Sequence, residues 1–192
     1  MSSTLPQPSR MTPQEYLQWE REQVERHEFY DGEVFSQAGG TRNHSLIGMN
    51  MAREVGNLLK GNPCEAHGSD MRILIEATGY HAYPDVSVVC PPVEGPADDL
   101  ITNPILLVEV LSPSTADFDR GGKFDHYRQI PSLQEYIVIW QDQARLEQRI
   151  KNDTGWQLRD IVDLDNRLEL ESIAGSVALA DIYDKVAFSK GA

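Results

Sequence analysis

ILLVEVL, at residues 105–111, is a run of apolar residues that one ionisable side chain interrupts. An apolar run of this length, bounded by polar segments, predicts a strand that is buried on both faces of a sheet. Glu109 lies inside it, and an ionised carboxylate buried without a partner would be strongly destabilising. We therefore expect Glu109 to meet a cation, a proton or a hydrogen-bond donor.

Asp85 is the natural companion, since it begins a second apolar run within YPDVSVV, residues 83–89. If the two runs form neighbouring strands, the side chains of Asp85 and Glu109 meet at one end of the sheet. Mg²⁺ suits such a sparse pair, because it binds one or two carboxylates and keeps several waters. Two alternatives stay open: Asp85 as a turn residue after Pro84, and Glu109 as half of a buried ion pair.

The remaining chain predicts an α+β protein with an α/β-type core: one mixed sheet flanked by helices and followed by a C-terminal β-meander. Residues 1–11 are expected to form a disordered lead, and residues 12–192 a single domain. The local signals are a capping box at Thr12 and Glu15 that starts a helix to about Gln23, a hairpin turn at Asp31-Gly32, and a second helix capped by Asn43. Strands are expected at 64–67, 71–77, 83–90, 104–112 and 135–140, with a helix over DRGGKFDHYRQI and a short one over ALADIYDKV.

The charge distribution favours a divalent metal site over a protein that coats nucleic acid. The net charge is −13, and residues 81–140 carry 3 Lys or Arg against 9 Asp or Glu. Coating proteins are normally basic, whereas metal sites concentrate carboxylates. A merely acidic, solvated surface explains the flanking segments equally well.

The composition and the absence of several known motifs leave further classes of protein without support. No stretch approaches the roughly 18 apolar residues that span a bilayer. Cys64 and Cys90 are far apart in sequence, so we expect two buried free thiols and a cytoplasmic location. The chain has no GxxxxGK[ST], GxGxxG, CxxC, HExxH or GxSxG motif, which leaves nucleotide-cradle, structural-zinc, zincin and serine-hydrolase sites without support.

Several motifs together resemble the Uma-two group, which is classed among the restriction endonucleases and has a PD-(D/E)XK nuclease core. The resemblance rests on HEFYDGEVF, RNHSLIGMNM, YPDVSVV, LLVEVLSPST, DRGGKFDHYRQI and EYIVIW, and it spans roughly residues 12–140. It implies a restriction-endonuclease-like fold, a divalent metal (Mg²⁺, or alternatively Mn²⁺) and hydrolysis of DNA phosphodiesters. By position, Asp85 is the aspartate of the "PD" and Glu109 the second metal ligand.

One departure from the PD-(D/E)XK pattern concerns its lysine. That lysine follows the acid by two residues, so both side chains lie on one face of the strand. Leu111 occupies the position here, and Lys123 is the candidate substitute, since in the resembled group a lysine lies on the following helix. We predict that Lys123 assists catalysis by stabilising the attacking hydroxide or the charge on phosphate. The alternative is a solvated helix lysine.

Three further residues are secondary candidates. Glu33 matches an acidic position of the resembled pattern and would hold metal through a water, or it is an exposed strand residue. His44, in the first turn of its helix, would contact phosphate or transfer a proton, or it is a surface or capping histidine. Tyr127 follows Lys123 at i+4 and would bond to Glu109, or it belongs to the core.

The sequence therefore predicts a Mg²⁺-dependent endonuclease acting on DNA, with Asp85, Glu109 and Lys123 as its catalytic residues. Because few basic residues surround the site, a homodimer is expected to support duplex binding, with the C-terminal meander as its interface. Two other functions remain open: a nuclease-fold protein that no longer cuts and acts as an interaction or nucleic-acid-binding module, and a hydrolase of another phosphoester.

Overall fold

The computed structural model describes residues 10–37, 40–112 and 116–188. Residues 1–9 of the expected N-terminal lead, and Pro113 to Thr115 of the motif LLVEVLSPST, lie outside the described residues. In chain order the elements are α1 (Pro13–Glu20), β1 (His27–Tyr30), β2 (Glu33–Ser36), α2 (Arg42–Leu58), β3 (Glu65–Gly68), β4 (Arg72–Ile75), β5 (Tyr80–Ala82), β6 (Val86–Val89), β7 (Leu100–Ile101), β8 (Pro104–Leu111), α3 (Ala116–Phe118), a π-helix (Asp119–Lys123), α4 (Phe124–Tyr127), β9 (Glu135–Trp140), β10 (Arg145–Asn152), β11 (Gly155–Val162), β12 (Arg167–Leu170), a 3₁₀ turn (Glu171–Ile173), β13 (Gly175–Ala178) and α5 (Leu179–Ile182).

Strand β8 contains the sequence ILLVEVL and lies inside the largest sheet, with all eight of its residues buried. It pairs with β9 in parallel and with β6 in antiparallel orientation. The sheet has six strands in the order β11-β10-β9-β8-β6-β3. The prediction that the strand after Asp85 and the strand of Glu109 are neighbours in one sheet is therefore confirmed.

The six-stranded sheet has two covered faces, and alternate residues of β8 point to each. Leu106 and Val108 pack with residues of α2, α5 and the β12–β13 pair. Leu107 and Leu111 pack on the opposite side, with residues of β4, β5 and α4. Glu109 shares the alternation of Leu107 and Leu111, so its side chain points to this second face.

The expected α+β class is confirmed, but the single mixed sheet is not what forms. Within the described residues there are three sheets: the six-stranded one, a five-stranded sheet in the order β2-β1-β5-β4-β7, and the β12–β13 pair. The five-stranded sheet is separate because β6 is paired on both edges, with β3 and β8, whereas the N-terminal hairpin pairs with β5 through Phe29 and His81. This second sheet forms the opposite wall of the cavity described below.

Two local signals at helix and hairpin starts are confirmed, and one is wrong. Thr12 and Glu15 form the capping box of α1, and Asp31 and Gly32 both have positive φ, as a two-residue hairpin turn requires. The cap of α2 is Thr41 and not Asn43. The Asn43 amide instead donates to the carbonyls of Gln141 and Ala187, which leaves the Thr41 hydroxyl to accept from the helix.

The two cysteines are bonded to each other, which corrects the expectation of free thiols. Cys64 precedes β3 and Cys90 follows β6, and these strands pair from Glu65 opposite Val89. The antiparallel register thus brings together two residues 26 positions apart. The free-thiol argument for a reducing compartment consequently has no basis. None of the helices in the described ranges is both long and apolar enough to cross a bilayer.

Candidate active site

Asp85 and Glu109 lie side by side at one end of β6 and β8. Val86 pairs with Val108 in the antiparallel register, so the residues that flank this pair are neighbours across the two strands. The backbone N–H of Val110 donates to Asp85 Oδ2 at 2.7 Å, which fixes the aspartate against the edge of β8. The short strand-opening segment therefore holds one carboxylate beside the buried carboxylate of Glu109.

Lys123 enters the same site from the segment that follows β8. Its Nζ lies 2.9 Å from Glu28 Oε1, 3.1 Å from Glu109 Oε1 and 3.2 Å from Asp119 Oδ1. All four side chains are buried. The lysine thus balances part of the charge of three carboxylates in an apolar surrounding, while Leu111 packs in the core.

A π-helical turn at Asp119–Lys123 places this lysine. Asp119, Lys123 and Tyr127 are spaced by four residues and all reach the site. The Tyr127 hydroxyl donates to Glu109 Oε1 at 2.8 Å, and the Tyr136 hydroxyl donates to the backbone carbonyl of Asp119 at 2.8 Å. Single π-helical turns occur frequently at functional sites, because they redirect side chains within a helix.

The N-terminal hairpin contributes Glu28 and not Glu33. Glu33 begins β2, is exposed, and is absent from the residues that line the cavity, whereas Glu28 lines it. The Tyr80 hydroxyl donates to Glu28 Oε2, so the neighbouring strand β5 holds this carboxylate towards Lys123.

His44 lies beside Asp85, in the first turn of α2. Its backbone N–H donates to the Thr41 hydroxyl, and its Nε2 is 3.5 Å from Asp85 Oδ2. The imidazole lines the same cavity as both carboxylates.

These residues surround one cavity of about 380 Å³. It is lined by Glu28, Tyr30, Phe35, Ser36, Gln37, Gly40, His44, Tyr80, Asp85, Glu109, Val110, Ser112, Phe118, Asp119, Lys123 and His126.

Burial controls the protonation of the central groups. It raises the pKa of Asp85, although His44 and the Val110 N–H oppose the shift. Burial also raises the pKa of Glu109 well above its usual value, against the attraction of Lys123. For Lys123 burial acts to lower the pKa, but the attraction of Glu109 and Glu28 outweighs it, so the ammonium pKa is well above normal. Lys123 is therefore a permanent cation and not a proton acceptor.

The donor set fits a small hard cation held by a pair of carboxylates. The four carboxyl groups of Glu28, Asp85, Glu109 and Asp119 outnumber the one lysine of the cavity. Over residues 10–37, 40–112 and 116–188, no cluster of three or more His, Cys, Asp or Glu is arranged to hold a metal by itself. Mg²⁺ needs no such cluster, since it completes its octahedron with waters and substrate oxygens.

Sequence reasoning missed three residues of this site: Glu28, Tyr80 and Asp119. The sequence could have indicated Asp119, because Asp119 precedes Lys123 by four positions, as Lys123 precedes Tyr127. Glu28 and Tyr30 are two positions apart on β1, so they lie on the same face of the strand, and both line the cavity. Tyr80 had no signal, because β5 was not predicted.

The fold is that of a protein known from a crystal structure. The chain superposes with a TM-score of 0.76 and 17% identity on a protein of Anabaena variabilis described as a "putative nuclease belonging to DUF820", over 92% of this chain and 99% of that one. Two proteins of Synechocystis sp. are similar in sequence. The uncharacterized protein slr1290 is 42% identical over 179 residues, or 93% of this chain and 94% of that protein. The uncharacterized protein sll1609 is 37% identical over 162 residues, or 83% and 92%.

The family model of Uma2, described as "Putative restriction endonuclease", matches residues 13–180. The chain belongs to the Uma2 family. The resemblance given by the sequence motifs is thereby confirmed, and it extends beyond residue 140 through the C-terminal strands.

Proposed function

We propose that this protein is a metal-dependent endonuclease that hydrolyses DNA phosphodiester bonds. The observation that carries the proposal is the cavity in which Asp85, Glu109 and Lys123 meet, together with membership of the Uma2 family. Asp85 and Glu109 would hold Mg²⁺ or Mn²⁺, and a bound ion would supply Lewis-acid polarisation of the scissile phosphate.

Lys123 has the role of a fixed positive charge. Because its pKa is raised by Glu109 and Glu28, it stays protonated and donates hydrogen bonds to oxygens on which negative charge develops. Its contacts with Glu28 and Asp119 hold the ammonium in place before substrate arrives, so little reorganisation is needed. In this proposal Lys123, in the π-helical turn, takes the role that the usual PD-(D/E)XK pattern gives to a lysine on the strand.

Tyr127 and His44 act on the two carboxylates. The Tyr127 hydroxyl donates to Glu109, and burial raises its pKa, so it remains a donor. His44 lies beside Asp85 at the cavity wall, where an imidazole can pass a proton between solvent and a leaving or attacking oxygen.

The direct test is cleavage of plasmid DNA by the purified protein. We expect nicking with Mg²⁺ or Mn²⁺ and none with excess EDTA. Metal binding without cleavage of any DNA would favour the nuclease-fold binding protein, and hydrolysis confined to small phosphoesters would favour the other hydrolase.

The affinity for Mg²⁺ is expected to rise with pH. Burial raises the pKa of both Asp85 and Glu109, so protons compete with the metal, and binding releases protons. As pH rises through these pKa values the carboxylates ionise and the competition ends. Calorimetric titrations in buffers of different ionisation enthalpy measure the released protons; a pH-independent affinity with no proton release would contradict the assignment.

We further propose a homodimer that forms through β11, the outer strand of the six-stranded sheet. Leu158 and Val162 lie on the same face of this strand and are exposed, and its unpaired edge can pair with a second copy. Leu146 and Leu168 of the meander are buried within the chain, whereas Leu164, between β11 and β12, is also exposed. Light scattering is expected to give twice the mass of one chain, and the mass of a single chain would contradict the dimer.

A further inference from the structure

Three aromatic rings at the mouth of the cavity are exposed. Tyr30, Phe35 and Phe118 have 39%, 46% and 47% of their surface accessible, and all three line the cavity that contains Asp85 and Glu109. Isolated exposed apolar residues are common on protein surfaces, but a group that lines one cavity marks a binding surface. The apolar rings therefore belong to one site with the charged residues Asp85, Glu109 and Lys123, which together are called the floor of the cavity.

The ring of Tyr30 is held in position by contacts with two other aromatic rings. It contacts His126 edge to face, with centroids 4.6 Å apart, and meets Tyr80 in the same manner at 6.0 Å. His126 in turn contacts Thr78 Oγ1 at 3.0 Å. A ring fixed in this way offers a preformed platform, so a stacking ligand loses little entropy on its account.

The position of Phe118 depends on a glycine of the π-helical turn. A Cβ on Gly122 would lie 2.5 Å from two atoms of the Phe118 ring, a distance at which one of the groups must move. Since the ring is at the surface, it is the ring that would shift. Gly122 thus lets the edge of the Phe118 ring approach the turn that carries Lys123.

The charges of the cavity do not suit the backbone of a duplex. Among its lining residues in the described part of the chain, Lys123 is the sole lysine or arginine, and it is buried against three carboxylates. Proteins that follow a duplex neutralise many phosphates with lysine and arginine. Stacking of bases on aromatic rings needs no such charge and is available only to bases that are not paired and stacked.

We propose that the cavity takes an unpaired, unstacked nucleotide of single-stranded DNA. Its base stacks among Tyr30, Phe35 and Phe118, and its phosphate reaches the carboxylate and lysine floor. The volume of about 380 Å³ lies in the range of cavities that hold a small ligand and not a double helix. The assignment of the floor rests on the proposed nuclease function, whereas the recognition of the base rests on the rings.

Binding is tested by fluorescence anisotropy with three short end-labelled DNAs: a single strand, its duplex, and a strand of the same length made of abasic residues. Ca²⁺ replaces Mg²⁺ to limit cleavage. We expect the single strand to bind about ten-fold or more tighter than both others, the effect of stacking one or two bases. Equal or tighter binding of the duplex or of the abasic strand would overturn the proposal.

Variants assign the effect to the rings. Phe35→Ala and Phe118→Ala are each expected to weaken single-strand binding by about five-fold or more, and Gly122→Ala to weaken it by displacing the Phe118 ring. The matched control is Met49→Ala, an exposed apolar residue on α2 outside the cavity, which should bind as the unsubstituted protein does. If both phenylalanine variants bind normally, or if they instead dissociate a dimer, the rings do not read bases.

Cleavage of circular single-stranded and plasmid DNA separates this inference from the proposed function. Metal-dependent cleavage that prefers the single strand supports both. Cleavage that depends on Asp85 but favours the duplex overturns the inference alone. Tight binding of the single strand by the rings, without any cleavage, overturns the nuclease function and leaves the recognition of unpaired bases standing.

Discussion

Asp85→Asn is expected to lower the rate of metal-dependent DNA cleavage by more than about 100-fold, since even residues that only orient a metal ligand are worth about 10–100-fold. The substitution keeps the shape of the side chain and an oxygen that can accept from the Val110 N–H. It removes the negative charge, and with it half of the carboxylate pair. Cleavage of plasmid DNA at a fixed Mg²⁺ concentration measures the loss.

The matched control is Asp70→Asn, an exposed aspartate paired with Arg26 outside the cavity. It should cleave at the normal rate, since exposed ion pairs contribute little. Glu109→Gln should behave as Asp85→Asn does. If cleavage survives in both site variants, the activity comes from another site or from a contaminant.

Lys123→Met is expected to have the largest effect on stability. Removal of the ammonium leaves Glu28, Glu109 and Asp119 buried with less compensation, and breaking a buried ion pair in this way costs about 3–5 kcal/mol. The free energy of unfolding from urea titrations at pH 8 measures the loss. Lys60→Met, at an exposed lysine, is the control and should change little.

The loss of unfolding free energy in Lys123→Met should be smaller at low pH and in the presence of Mg²⁺. Burial already raises the pKa of Glu109, and without Lys123 that pKa rises further. The folded state then binds more protons than the unfolded state, so its stability increases as pH falls through the raised pKa. A divalent cation in the cavity replaces the missing charge and binds the folded state alone. A deficit that is independent of both pH and Mg²⁺ would mean that Lys123 only fills space.

The centre of the fold and of the site was predictable because both follow from local pattern. ILLVEVL predicts a buried strand, and a carboxylate inside it must have partners, which are Lys123 and Tyr127 in the structure. The spacing of four between those two residues is also local. Hence the sequence predicted that β8 and the segment that follows it would both contribute to the site.

The remaining features depend on strand pairing, which local pattern does not determine. Glu28 reaches the site because the N-terminal hairpin pairs with β5, and β5 itself is three residues long and carries no clear signal. The cysteine bond follows from the register of β3 on β6. In both cases residues far apart in sequence meet through hydrogen bonds of the backbone, to which the identities of the side chains give little guide.

A crystal of the protein soaked in Mn²⁺ shows whether Asp85 and Glu109 bind a metal ion, because anomalous scattering locates that ion without reference to activity. We predict one ion bound by the carboxylates of Asp85 and Glu109, with the Lys123 ammonium beside the same cavity. The Asp85→Asn protein, soaked in the same way, should lose the ion. A cavity without anomalous density, or an ion bound away from this pair, would contradict the assignment of a metal-dependent nuclease centre.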